Sequence, residues 1–203
     1  VGDVIFYGAD DDGSGTTALL MMAEAFSKAK EKGEGPRRSI LFMPVSAEEK
    51  GLLGSKFYSE NPLFPLENTV ANLNIDMIGR IDEPHEGNPD YVYIIGSDFL
   101  STDLHAINET QNKLHTKLQL DYTFNSIDDP NNFYRRSDHY NFAKNGIPVI
   151  FYFNGVHEDY HQPSDTVDKI NFNKLSKITR LIYYTSWDIA NRDKRPVVDG
   201  AVE

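Results

Sequence analysis

Residues 69–78 read Thr-Val-Ala-Asn-Leu-Asn-Ile-Asp-Met-Ile. Leu73, Ile75 and Met77 fall on one side of an extended chain, and Asn72, Asn74 and Asp76 on the other. The pattern predicts a strand with an acid at its end. A carboxylate there is costly to bury unpaired, so Asp76 is either a strand-end cap or a ligand. Working outward, the apolar runs 91–95, 118–124 and 148–153 predict further strands, and so does 4–7 upstream. The continuous apolar run 39–45 predicts a strand buried on both faces. Helical periodicities fall between these runs. Leu19, Met22, Ala23, Phe26 and Ala29 mark a helix that reaches about Lys32, with Ser14 or Asp12 as its cap. A second helix starts near Lys50 and carries Leu53, Phe57 and Tyr58, and a third covers 102–118. A short helix over 137–144 closes at Asn145-Gly146, and a long one runs from 173 to 192. Strands that alternate with helices predict an α/β three-layer sandwich, a mostly parallel or mixed twisted sheet with helices on both faces. Reactive groups then gather at the carboxyl ends of the strands. The expected organisation is one domain over 1–193 and a frayed tail over 194–203.

Composition narrows the function. A length of 203 residues suits one α/β domain. The net charge of -11 argues against nucleic acid as a partner, because phosphate binding needs clustered Lys and Arg. No apolar run approaches the roughly 20 residues of a membrane span. There are no cysteines, which excludes disulfides and thiolate-bound metal. Any metal must therefore be held by His, Asp and Glu. The residues leave the compartment open; the expected location is secreted or periplasmic.

Four polar clusters sit where strands end. Gly8-Ala9-Asp10-Asp11-Asp12-Gly13-Ser14-Gly15 is an acid-rich turn that leads into a helix. Glu48-Glu49 follows the 39–45 run. Adjacent residues in extended geometry point in different directions, so one of the two can bind a metal while the other faces a water. Asp76 ends its strand. His161 lies in the loop Tyr160-His161-Gln162-Pro163-Ser164-Asp165, where Asp165 could orient its ring. Oxygen and imidazole donors without thiolate fit a catalytic zinc site, and the spare glutamate suits a general base. Loops 81–90 and 126–132 are expected at the mouth of this site.

The series GADDDGSG, SAEEKGLLGS, LNIDMIGR, SDHYNFAKNGIP and YHQPSDT, in that order, resembles the M28 family of zinc peptidases. The resemblance covers about Gly8 to Thr166. It implies a zinc-exopeptidase fold and removal of N-terminal residues from peptide substrates. It implies two zinc ions in the complete enzyme, bridged by the middle acid of the triple, Asp11. Glu48 becomes the general base and Glu49 a zinc ligand that shares its ion with His161. Asp76 binds the other zinc. Tyr134, three residues before Ser137, becomes the donor to the tetrahedral intermediate. His139 is expected in a structural hydrogen bond. The family's His-x-Asp motif has no counterpart among residues 1–7 and is expected upstream, so this chain alone is expected to hold one zinc or none. The alternatives are a glutaminyl-cyclase-like enzyme with a single zinc on Asp11, Glu49 and His161, and a non-catalytic binding module.

Overall fold

Two paired strands that run opposite ways lie at the centre of the computed structural model, which describes residues 4–201. The strands are β1 (Asn72–Ile75), β2 (Tyr91–Ile95), β3 (Gln119–Asp121) and β4 (Val149–Phe153), in the order β1-β4-β2-β3. β1 runs parallel to β4 and β3 parallel to β2, while β2 and β4 are antiparallel. The sheet is therefore mixed. Every residue of β2 and β4 is buried, which explains why both read as unbroken apolar runs.

Alternation along these strands feeds two cores. Val92, Ile94, Ile150 and Tyr152 pack with α1 (Gly13–Glu31), α3 (Thr102–Gln111) and α5 (Phe172–Asn191). Tyr91, Tyr93, Ile95, Phe151 and Phe153 form a second, aromatic cluster with Phe133 and with Phe142 of α4 (Tyr140–Ala143). α2 (Leu53–Glu60) packs beside α4. Helices thus cover both faces, and the architecture is the expected three-layer sandwich. Asp12 caps α1 by accepting the Gly15 N–H at 2.9 Å, and Ser101 caps α3 through the Leu104 N–H. Among the described residues no helix is long and apolar enough to cross a membrane.

Two of the expected strands do not form. Residues 39–45 are irregular and belong to no strand, and Leu41 is 47% exposed. Residues 4–7 are likewise irregular and exposed. An apolar run becomes a strand only where a neighbouring edge takes up its backbone groups, and none lies against these. Residues 195–200 of the tail are docked rather than frayed. The Asp199 carboxylate accepts the Thr102 N–H at 2.9 Å, and the Asp199 N–H donates to the Leu100 carbonyl. Unpaired N–H groups at the start of α3 explain this docking. The Arg195 guanidinium also donates to the carbonyls of Glu67 and Thr69.

Candidate metal centre

The site lies where β1 ends and α1 begins. Asp12 Oδ1 accepts the Met77 N–H at 3.2 Å, which ties the helix cap to the strand end. Only glycine fits at position 15, because a Cβ there would come within 2.4 Å of the Ile75 carbonyl oxygen. The triple acid divides its labour. Asp10 is fully buried, with one carboxylate oxygen accepting the Gly79 N–H at 2.6 Å and the other 3.1 Å from His157 Nε2. Asp12 is the cap. Asp11 alone is directed at His161, whose Nε2 is 3.2 Å from Asp11 Oδ2.

Asp165 aims this turn. Its buried carboxylate accepts the backbone N–H of Asp10 at 3.0 and 3.1 Å and that of Asp11 at 3.1 Å. It therefore fixes the backbone that carries Asp11, whereas the sequence suggested that it would orient the His161 ring. That ring is stacked instead on Tyr160, with centroids 3.7 Å apart.

Glu48 and Glu49 lie on a single 3-10 turn and not on an extended segment. Ala47 before them is left-handed, at φ 61, and so are Met77 after Asp76 and His161 itself, at φ 56 and 55. Non-glycine residues in this region cost energy, and they concentrate at sites that need a fixed direction. The turn is anchored through α2. The Leu52 N–H donates to the Glu48 carbonyl at 2.8 Å, and Ser55 of α2 is hydrogen-bonded to Asp138 and Asn141. Glu49 Oε1 stands 3.1 Å from His161 Nε2.

Asp11, Glu49 and His161 each offer a ligand atom, all within 4.8 Å of one another. On a tetrahedral zinc with bonds of about 2.0–2.2 Å, neighbouring donors lie roughly 3.3–3.6 Å apart. The two distances from His161 fall just below that spacing, and the donor set is one zinc accepts. Asp76 is adjacent and belongs to a different set of contacts. Its Oδ2 accepts the Ser137 hydroxyl at 2.7 Å, while its buried Oδ1 has no hydrogen-bond partner.

Burial and mutual repulsion raise the proton affinity of the acids gathered here. Asp11 is pushed up to about 8 by burial, then by the charges of Asp76, Glu49, Glu48 and Asp10. Glu48 is pushed up to about 8 by burial, then by Asp76 and Glu49. Burial raises Asp76 to about 6 and raises Asp12 well above its ordinary value. Carboxyl groups that hold protons in this way are short of positive charge.

Tyr134 is not in the wall of this cavity. It is buried against Phe99, Tyr140 and the backbone of Gly96. The aromatic cluster draws the ring inward, away from where the sequence suggested it would stand. Tyr160 lines the cavity with Arg136, whose Nη2 donates to the Tyr160 hydroxyl at 3.2 Å. Sequence reading missed both residues, although Tyr160 directly precedes His161. Loops 81–90 and 126–132 do not line the cavity either. His139 is fully buried and stacked on Phe151, and burial holds it down to about 3.

Known proteins resemble this chain in sequence and fold. The chain is 29% identical to leupeptin-inactivating enzyme 1 of Streptomyces exfoliatus, covering 90% of this chain and 42% of that protein. It is 30% identical to leucine aminopeptidase 1 of Sclerotinia sclerotiorum, covering 90% of this chain and 47% of that one. The chain thus spans less than half the length of these relatives. A zinc aminopeptidase structure from Bacillus subtilis superposes with a TM-score of 0.67 at 22% identity, over 95% of this chain and 45% of its own, and has the same fold. The profile of peptidase family M28 matches residues 1–186, and the chain belongs to that family.

Proposed function

We propose that this chain carries the catalytic core of a zinc-dependent exopeptidase that hydrolyses N-terminal residues from peptides. The observation that carries the reading is the convergence of Asp11, Glu49 and His161 at coordination spacing. These three residues would hold one zinc ion. Asp76, with its unpartnered Oδ1, and Asp11 would offer two donors to a second ion, fewer than a closed site needs.

A bound zinc supplies Lewis acidity and counter-charge beside the scissile carbonyl. The chain's own residues do the remaining work. Glu48 is outside the ligand set but lines the same cavity. Its raised proton affinity suits a base that takes a proton from water and passes it to the leaving amine. A cation nearby would bring that affinity down towards neutrality. The surplus of carboxylates favours a substrate that presents a positively charged amino terminus. Met77, Phe133, Phe151 and Phe153 give the cavity apolar walls for a side chain. A secreted or periplasmic location forms part of this proposal.

The test separates the two glutamates. Zinc content is measured on this chain and on the complete protein, and peptidase rate on the complete protein. Glu48→Gln should keep zinc and lose turnover by on the order of 10²–10⁴-fold. Glu49→Gln should weaken zinc binding itself. Loss of zinc in Glu48→Gln, with zinc and activity both kept in Glu49→Gln, would reverse the assignment.

A further inference from the structure

Of the three acids in the turn, Asp10 alone is fully buried, and it serves neither as a metal donor nor as the cap of α1. A buried carboxylate is costly unless its oxygens are hydrogen-bonded. Oδ1 accepts the Gly79 N–H at 2.6 Å. Among the described residues Oδ2 meets only His157 Nε2, at 3.1 Å. A carboxylate accepts and does not donate, so Nε2 carries the hydrogen. The His157 side chain is 3% exposed, and its Nδ1 makes no hydrogen bond. The ring's single hydrogen bond is therefore the one to Asp10. A leucine would fill this space without burying an unpartnered nitrogen, so packing alone does not account for the imidazole.

The loop that carries His157 also carries His161. The Tyr160 N–H donates to the His157 carbonyl at 3.0 Å, in a turn that joins the two histidines. Further along the same loop, Asp165 holds the amides of Asp10 and Asp11, and its carbonyl accepts the Ala9 N–H at 3.2 Å. One loop thus supplies His161 and grips, at two points, the turn that supplies Asp11. The loop has a firm base at the exit of β1. The Asn154 N–H donates to the Met77 carbonyl at 2.8 Å, and Asn154 Oδ1 accepts the Arg80 N–H at 2.7 Å. The Asn154 carbonyl accepts the Tyr91 hydroxyl at 2.6 Å.

The two grips differ in what they fix. Asp165 holds backbone amides, and a row of such bonds still lets the Asp10–Asp11 peptide pivot about its own line. The Asp10 side chain, held at both oxygens, is a fixed point off that line. It stops the pivot and sets the direction in which Asp11 leaves the backbone, towards His161 Nε2 at 3.2 Å.

We propose that His157 is a positioning residue for the metal centre: acting through Asp10, it fixes the separation of Asp11 from His161 before any metal arrives. The inference rests on the reading of Asp11, Glu49 and His161 as zinc ligands.

Three variants of the complete protein test it. His157→Leu keeps the bulk and removes the donor. His157→Asn keeps an amide that falls one bond short of Asp10, and stands in if the leucine variant does not fold. His157→Gln places an amide N–H at the same number of bonds as Nε2. Zinc affinity should fall by on the order of 10–100-fold in the Leu and Asn variants and stay within about threefold of wild type in Gln. Cobalt(II) bound in place of zinc should show an altered visible spectrum in Leu and Asn and a native one in Gln. In metal-stripped protein the Asp10 and Asp11 amides should exchange roughly tenfold faster in Leu and Asn than in wild type. Zinc affinity and cobalt spectrum unchanged in Leu or Asn would overturn the proposal. A Gln variant as weak as Leu would do so too, because the imidazole would then matter for packing and not for its donor. A wild-type protein that binds no zinc would defeat the zinc reading instead. The metal-free exchange would still judge the grip, and unchanged exchange in Leu or Asn would refute it.

Discussion

Two acid clusters in this molecule contain imidazole, and they are built in opposite ways. Around His85 every carboxylate has a donor. Asp82 accepts from His85 Nδ1 at 2.7 Å and from the Tyr93 hydroxyl at 2.6 Å, and Asp121 lies 3.1 Å from His85 Nε2. Nearby, Asp159 is paired with Lys169 at 2.6 Å and Arg80 at 2.8 Å, and these contacts, that with Lys169 first, hold it below the usual carboxylate range. At the end of β1, by contrast, Asp11, Glu48 and Asp76 raise one another's proton affinity around a single exposed imidazole. Both clusters are buried or half-buried, so burial alone does not separate structural acids from functional ones. The balance of partners does. The cluster around His85 is complete within the chain, whereas the one at the end of β1 is short of positive charge, which is what the proposed metal site would need.

The contrast can be broken at either cluster. The largest effect is expected at Asp159. Removing its charge leaves Arg80 buried without a full partner, which should cost on the order of 3 kcal/mol. Asp159→Asn should then lower the melting temperature by roughly 6–12 °C for a chain of this size, without changing zinc affinity. Equal loss of zinc binding would show that the two clusters are coupled.

A smaller effect should appear as a pH trend in metal-free protein. Asp11 and Glu48 are pushed up to about 8 and Asp76 to about 6. The folded chain therefore keeps protons that the unfolded chain releases from about pH 4. These groups stabilise the fold fully below that pH, and their contribution is lost as pH rises towards 8. Melting curves of metal-stripped protein should shift down across this window, and added zinc should flatten the trend. A metal-free melting temperature that rises from pH 5 to 8 would contradict the claim that these acids lack partners.

The smallest effect is expected at Tyr160. Tyr160→Phe keeps the stack on His161 and removes the hydroxyl that accepts from Arg136. One exposed hydrogen bond contributes about 0.5–1.5 kcal/mol, so zinc affinity by calorimetry should change by no more than about 13-fold. A larger loss would make Tyr160 part of the metal site's support.

Local chemistry was legible without coordinates wherever the chain carried its own instructions. The cap and periodicity of α1, the periodicity of α5 and the apolar runs of β2 and β4 are local patterns that tertiary packing did not override. Asp11, Glu49 and His161 were legible as candidate ligands because they stand in polar turns that follow apolar runs in a chain without cysteine. What the tertiary structure decided is pairing, since a hydrogen bond needs a second strand that no local pattern specifies. Residues 39–45 read as a strand as clearly as β4 does, yet only β4 has two neighbours. The same reason moved Asp165 from a histidine partner to a clamp on the Asp10–Asp11 backbone, and it set Tyr160 rather than Tyr134 in the cavity wall. Sequence lists the groups able to act; the meeting of segments some 150 residues apart decides which of them share a site.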